Sequence, residues 1–297
     1  MSVAFVSPQL IVALTLGSCL VTASSRIVLQ RGFRYSNSLT AMVCTLFFGW
    51  IALGTLCAVF WKDQRWSSQG LLFFAGIGIV APPVVRFLTY IGVEKVGPSR
   101  ADAVRSLTPL FALGFAGLFA EQVTRFSWAA TLLVIAGVWL IGRDGKKRAG
   151  VFSPQHLLYP FTAAVIAGLI ANLRKLGTSL EITPMLAAFT AASSALVVFS
   201  LFLLVTQKWK KLLLPRQAVL PMVSAGVLVS ATDVLDLVLL KVSKVSVISP
   251  LLATTPLFVI LLSAIFLRGI EQLTANLVAG ALAISTGVII LYLGLVP

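Results

Sequence analysis

Residues 105–119 read RSLTPLFALGFAGLF, and residues 252–266 read LATTPLFVILLSAIF. At a fixed offset of 147 they share Thr108/Thr255, Pro109/Pro256, Leu110/Leu257, Phe111/Phe258 and Phe119/Phe266. Three inserted residues then move the offset to 150, where Glu121/Glu271, Gln122/Gln272, Thr124/Thr274, Ala129/Ala279, Leu132/Leu282, Gly137/Gly287 and Val138/Val288 coincide. Apolar segments coincide often by chance. A shared T-P-L-F followed by E-Q-x-T and then G-V is instead a second copy of one unit.

The unit sits in a chain made for a bilayer. The 297 residues carry 23 Lys/Arg and 9 Asp/Glu, 59% are hydrophobic, and the mean hydropathy is +1.02. A soluble domain needs about a quarter of its residues charged to cover its surface, so soluble enzymes, secreted disulfide scaffolds and disordered tails are excluded. The net charge of +14 lies in short gaps between apolar runs, which is membrane-flanking charge, so nucleic acid is not an expected partner and membrane lipids are. Cys19, Cys44 and Cys57 fall inside apolar segments and act as small hydrophobes.

A span needs ~20 mainly apolar residues. Ten such segments are present, at 8–29, 36–60, 68–91, 100–120, 126–142, 154–177, 183–206, 218–240, 245–267 and 273–295. Trp61, Lys62, Arg65 and Trp66 follow the second, and Lys208, Trp209, Lys210 and Lys211 the seventh, as interfacial residues do. The runs are twice the ~10 residues of a barrel strand and do not alternate. The first span has no basic residues before it, so it reads as a retained helix.

The repeat divides the chain into halves of five spans, 1–142 and 154–297, joined by the basic connector 143–153. Five is odd, so the second half enters the membrane from the opposite side. The expected fold is all-α and integral to the membrane: ten transmembrane helices in two inverted repeats around a central cavity, the arrangement of secondary transporters. Connections 1–2, 3–4, 5–6, 7–8 and 9–10 hold 14 Lys/Arg against 7 in the other four. That bias places the odd connections in the cytoplasm and both termini outside.

The pattern of Ser99 to Gly142, small residues then x-L-T-P-L-F, a Glu and a Gly-Val helix, with its second copy from Ser246 to Leu291, resembles the EamA-like ten-helix branch of the drug/metabolite transporter superfamily. The resemblance covers nearly the whole chain. The family usually has Gly before the Glu, whereas Ala120 and Ile270 stand there. The resemblance implies a cavity lined by spans 1, 3, 4, 6, 8 and 9, transport of small metabolites by alternating access, and cytoplasmic termini, opposite to the charge bias.

Arg86 and Arg105 sit about five residues from one end of the third and fourth spans, ~7–8 Å below the same membrane face. A cation at bilayer depth costs ~2.5–3.5 kcal/mol, which calls for a partner or ligand, although an Arg stem can also snorkel to the headgroups. Arg26 reads as interfacial, Asp102 as the partner of Arg105 one turn away. Asp233 and Asp236 lie in the eighth span, and the offset of 147 matches Arg86 to Asp233 and Thr89 to Asp236. Counted from opposite faces of a ~30 Å core, Arg86 and Asp233 are expected roughly 12 Å apart along the membrane normal, too far for a salt bridge; the bland alternative pairs Asp233 with Lys241 or Lys244. Thr89, Tyr90 and Asn172 are candidate ligand hydrogen-bonders, with Asn172 facing either the cavity or a neighbouring helix. Arg174 and Lys175 mark the end of the sixth span. Pro82, Pro83, Pro109 and Pro256 break backbone hydrogen bonds, which a membrane tolerates where the backbone is buried in protein or lines a cavity. Each is equally readable as a packing kink.

His156, the single histidine, reads as interfacial, and no metal cluster, P-loop or nucleophile elbow is present. No cofactor and no enzymatic activity are expected. The sequence points to a secondary transporter, an exporter or exchanger in the bacterial inner (plasma) membrane. Its expected substrate is a small molecule, an amino-acid-like zwitterion or an organic anion, with a proton or counter-substrate as coupling partner. The alternative, a polytopic enzyme acting on a lipid-linked substrate, lacks the expected interfacial acid or histidine cluster and soluble loop.

Overall fold

The computed structural model describes residues 7–96, 98–119, 123–144, 154–266 and 275–293. Most of the basic connector (145–153) and the repeated Glu-Gln pairs at 121–122 and 271–272 lie outside the described residues.

The described elements are helices: α1 (Pro8–Gly32), α2 (Ser38–Val59), α3 (Ser68–Val96), α4 (Pro98–Arg105), α5 (Thr108–Ala116), α6 (Arg125–Asp144), α7 (Leu158–Gly177), α8 (Pro184–Val205), α9 (Arg216–Val242), α10 (Val245–Leu252), α11 (Thr255–Phe266) and α12 (Ala275–Leu293). Among the described residues seven stretches are long and apolar enough to cross a bilayer, namely α1, α2, α3, Gln155–Gly177, α8, α9 and Val245–Ser263. Thr108–Phe119 and Arg125–Gly137 are shorter apolar stretches. The first three helices are started by Ser7, Asn37 and Ser67, whose side chains accept from the N–H of Leu10, Thr40 and Gly70 and satisfy one orphan donor each.

The T-P-L-F repeat explains itself in the backbone. Proline has no N–H, so Pro109 and Pro256 cannot take up the carbonyls four residues earlier, those of Arg105 and Leu252. The preceding threonines supply the missing donor. Thr108 Oγ1 donates to Arg105 O, and Thr255 Oγ1 to Leu252 O, both at 2.6 Å. The chain breaks at the same point in both copies, between α4 and α5 and between α10 and α11. In α3, Pro82 and Pro83 remove two adjacent donors, and the helix widens into a π segment over Ala81–Arg86, a usual response to such a gap.

The packing treats the halves as equivalents. α1 lies on α9 as α7 lies on α3, α2 on α9 as α8 on α3, and α5 on α7 as α11 on α1, while α2 pairs with α8 and α6 with α12. Atomic contacts repeat the exchange. A Cβ on Gly137 would meet Gly280 O at 2.6 Å and Ile284, and one on Gly287 would meet Ala130 O at 3.0 Å and Val134; at the offset of 150 these are one contact made twice. At an offset of 146, Arg65 O accepts from Thr183 N at 3.1 Å and Lys211 O from Asn37 Nδ2 at 3.0 Å. In these two pairs each contact recurs with the halves exchanged, the signature of an isologous contact. The residues just beyond one end of α2 thus meet the start of α8, and the residues before α2 meet those after α8, so these equivalent helices run antiparallel.

Trp61, Trp66 and Trp209 are exposed beside Lys62, Arg65, Lys208, Lys210 and Lys211, in the manner of an interfacial belt.

Candidate functional site

A cavity of about 280 Å³ lies where α1, α3, α4, α5, α7, α9, α10 and α11 meet. That is room for about nine waters at ~30 Å³ each, the scale of a small metabolite. Equivalent positions build its walls. At an offset of 147 the lining pairs Pro82/Val229, Val85/Thr232, Arg86/Asp233 and Thr89/Asp236 on α3 and α9, and Asp102/Ser249, Arg105/Leu252, Ser106/Ala253, Thr108/Thr255 and Pro109/Pro256 along the broken helices. At an offset of 145 it pairs Thr22/Ala167, Ser25/Ile170 and Arg26/Ala171 on α1 and α7. Backbone shape is therefore shared and side-chain charge is not. The first half brings Arg26, Arg86, Asp102 and Arg105, and the second Arg174, Asp233 and Asp236.

Arg86 Nη2 donates to Asp233 Oδ2 at 2.5 Å, and Arg174 Nη2 reaches Asp233 Oδ1 at 3.4 Å. The expected 12 Å separation of Arg86 from Asp233 is thus overturned, because both helices run on past the expected ends. α3 continues to Val96 and α9 to Val242, ten and nine residues beyond Arg86 and Asp233, which puts the two at ~15 and ~13.5 Å from opposite faces of a ~30 Å core. Both sit at mid-depth. The alternative pairing of Asp233 with Lys241 or Lys244 is likewise replaced by Arg86 and Arg174.

Arg26 is not interfacial. It lines the cavity, its Nε 3.5 Å from Asp102 Oδ1, its guanidinium 6.0 Å from the centroid of the Tyr90 ring. Arg26 Nε and Asp102 Oδ2 are both buried without a hydrogen-bond partner. Arg105, expected to pair with Asp102, instead donates from Nη1 to Ala163 O at 2.8 Å; among the described residues no carboxylate lies within salt-bridge distance of it. Asp236 accepts from Ser18 Oγ at 2.8 Å and has no cation within that distance among the described residues.

Thr89 lines the cavity, with its hydroxyl donating to Val85 O at 2.7 Å. Tyr90 contributes its ring, while its hydroxyl donates to Thr45 Oγ1 at 3.2 Å rather than toward Arg86. Asn172 does not line the cavity. Gly168 brings α7 against the backbone of Phe111 and Ala112, and one turn later Asn172 Nδ2 donates to Ala112 O at 2.9 Å and Gly168 O at 3.0 Å, holding α7 to α5. Pro82, Pro109 and Pro256 line the cavity and Pro83 does not. Lys175 Nζ donates to Leu240 O at 2.6 Å and Ser243 O at 2.8 Å, closing the C-terminal end of α9.

Arg26, Asp102 and Arg174, with Ser18 holding Asp236, are the charged or charge-supporting residues that sequence reasoning passed over as site members. Arg26 and Arg174 stand near the apparent ends of their spans, where charge looks interfacial. The available signal was length: α1 runs six residues beyond Arg26, so the cation is more than a turn inside.

Broken helices, antiparallel equivalent helices and a charged cavity between the two halves define a helical membrane protein with a polar interior. The EamA-like transporter family matches residues 9–143 and again 156–293. The chain belongs to that family, a membrane transporter family of the drug/metabolite transporter superfamily, in a two-repeat architecture. A crystal structure of a protein superposes with a TM-score of 0.75 at 17% identity, covering 98% of this chain and 100% of that one, which is a likeness of fold. No curated protein matches the chain.

Proposed function

We propose that the protein is a ten-helix secondary transporter of a small metabolite, an amino-acid-like zwitterion or organic anion, working as an exporter or exchanger by alternating access between inverted halves. The observation that carries this reading is the cavity itself, walled by equivalent positions of both halves and holding, among the described residues, Arg105 with no carboxylate and Asp236 with no cation within salt-bridge distance. A guanidinium at bilayer depth is costly unless a ligand or partner meets it. The reciprocal contacts of α2 with α8 and of α6 with α12 support inversion, because a two-fold that reverses helix direction has its axis in the membrane plane. Such halves can exchange shapes and so open one site to either side. A proton or counter-substrate completes the cycle, and the charge bias favours termini outside the bacterial inner membrane.

Purified protein in liposomes preloaded with amino or organic acids should show saturable counterflow of radiolabelled substrate, lost in Arg105→Ala. Equal flux in protein-free liposomes would remove the reading.

A further inference from the structure

The cavity charges fall into two groups of the same composition. In one, Arg86 and Arg174 share the single carboxylate of Asp233. In the other, Arg26 lies at 3.5 Å from Asp102, and Arg105 follows Asp102 by one turn of helix on the same face. Each group holds two guanidiniums and one carboxylate, an excess of one positive charge. Asp236, whose one hydrogen bond among the described residues comes from Ser18, adds one negative charge beside them. The second group is also unsatisfied: Arg26 Nε and Asp102 Oδ2 have no hydrogen-bond partner though both are buried, and such atoms are rare without a ligand or water to meet them.

The groups are neighbours. The Tyr90 ring lies against Arg26, and Arg86 precedes Tyr90 by four residues on α3, which sets the two about 5–6 Å apart along one face.

We infer that the substrate is an acidic amino acid, with one carboxylate at each Arg–Asp–Arg group and its ammonium at Asp236. This rests on the transporter reading and narrows its substrate class. Two anionic groups and one ammonium give the ligand a net charge of −1, opposite to the +1 of the cavity. A neutral zwitterion leaves one arginine pair unmet, a plain diacid leaves Asp236 unmet, and a basic amino acid leaves one arginine pair unmet while adding a second cation. Guanidinium is suited to the task because it binds carboxylate through two parallel N–H donors.

The test is counterflow in proteoliposomes with L-glutamate, L-aspartate, succinate, L-leucine and L-lysine at equal concentration, with ligand-induced thermal shift as a second readout. Glutamate or aspartate should exchange best, with at least a tenfold preference over leucine. In Arg105→Gln and Arg174→Gln that preference should collapse, as loss of one charge-assisted contact costs about tenfold or more. In Asp236→Asn, succinate should overtake glutamate. That gain separates ligand contact from misfolding, since a damaged protein gains nothing. Best exchange of leucine, lysine or succinate by the unaltered protein overturns the inference and leaves the transporter reading standing. Exchange and thermal shift with none of the five, and with no other amino or organic acid, overturns both.

Discussion

Arg86 and Asp233 hold the same position in the two repeats and touch one another at 2.5 Å. A contact between equivalent positions lies on the axis that relates the halves. When two halves exchange shapes, every off-axis contact is traded for its counterpart, but one on the axis is carried into itself. In the proposed alternating-access cycle the pair would persist on both sides, a fixed point about which the rest rearranges.

Removing the cation should expose that role. Arg86→Ala leaves Asp233 with only the longer contact to Arg174, and should lower stability by about 1–3 kcal/mol and transport rate by tenfold or more while the protein still inserts. Arg86→Lys should restore part of the rate, since an ammonium supplies the charge without the planar fork. Uptake kinetics and thermal unfolding of the three proteins side by side settle it; an alanine variant with unaltered kinetics sinks the idea.

The threonines of the repeated T-P-L-F should matter through their hydroxyls. Thr108→Val and Thr255→Val each strand the carbonyl that the following proline leaves open, at about 1 kcal/mol apiece. Thr→Ser at either position should be nearly neutral. Melting curves in detergent distinguish these outcomes, and loss from Ser with none from Val would place the effect in the methyl group instead.

The α6–α12 contact predicts a graded response to one added methyl. Gly137→Ala drives a Cβ to 2.6 Å from the Gly280 carbonyl, Gly287→Ala to 3.0 Å from that of Ala130, and Gly114→Ala meets nothing within 4 Å. Overpacking of this kind costs about 1–3 kcal/mol, so the melting temperatures should fall in the order Gly114→Ala, Gly287→Ala, Gly137→Ala. Any other order contradicts the packing described here.

Orientation is testable at the connector. Cys19, Cys44 and Cys57 are buried, so a cysteine introduced by Lys147→Cys should be the reactive thiol. With the connector in the cytoplasm it resists an impermeant maleimide applied to intact cells, and efficient labelling would reverse the topology.

How far the sequence was legible depended on whether a residue's partner was local. The T-P pair was readable because its hydroxyl answers a carbonyl three residues away, so the motif carries its own explanation wherever it recurs. Span ends were not. Glu94 and Lys95 look like the start of a loop, yet Glu94 Oε2 accepts from Ser38 N at 3.0 Å, capping the start of α2 and letting α3 run on to Val96. Lys175 does the converse at the end of α9. Those few residues moved Arg86 and Asp233 to mid-depth and turned two separate charges into a pair. Arg26 and Arg174 were misread for the same reason, their partners lying 76 and 59 residues away.

The pair on the axis also bears on ancestry. If each half began as a five-helix protein that assembled with its own copy, the residue at this position met itself across the two-fold, and a cation facing the same cation at mid-bilayer is strongly disfavoured. Arginine opposite aspartate is available only to halves that mutate independently, whether as two genes or as two parts of one chain. Once established, the pair makes the divergence hard to reverse: two copies of the first half would bring Arg86 against Arg86, and two copies of the second Asp233 against Asp233. Opposite charges at a self-facing position thus act as a ratchet, committing each half to the other and against its own copy.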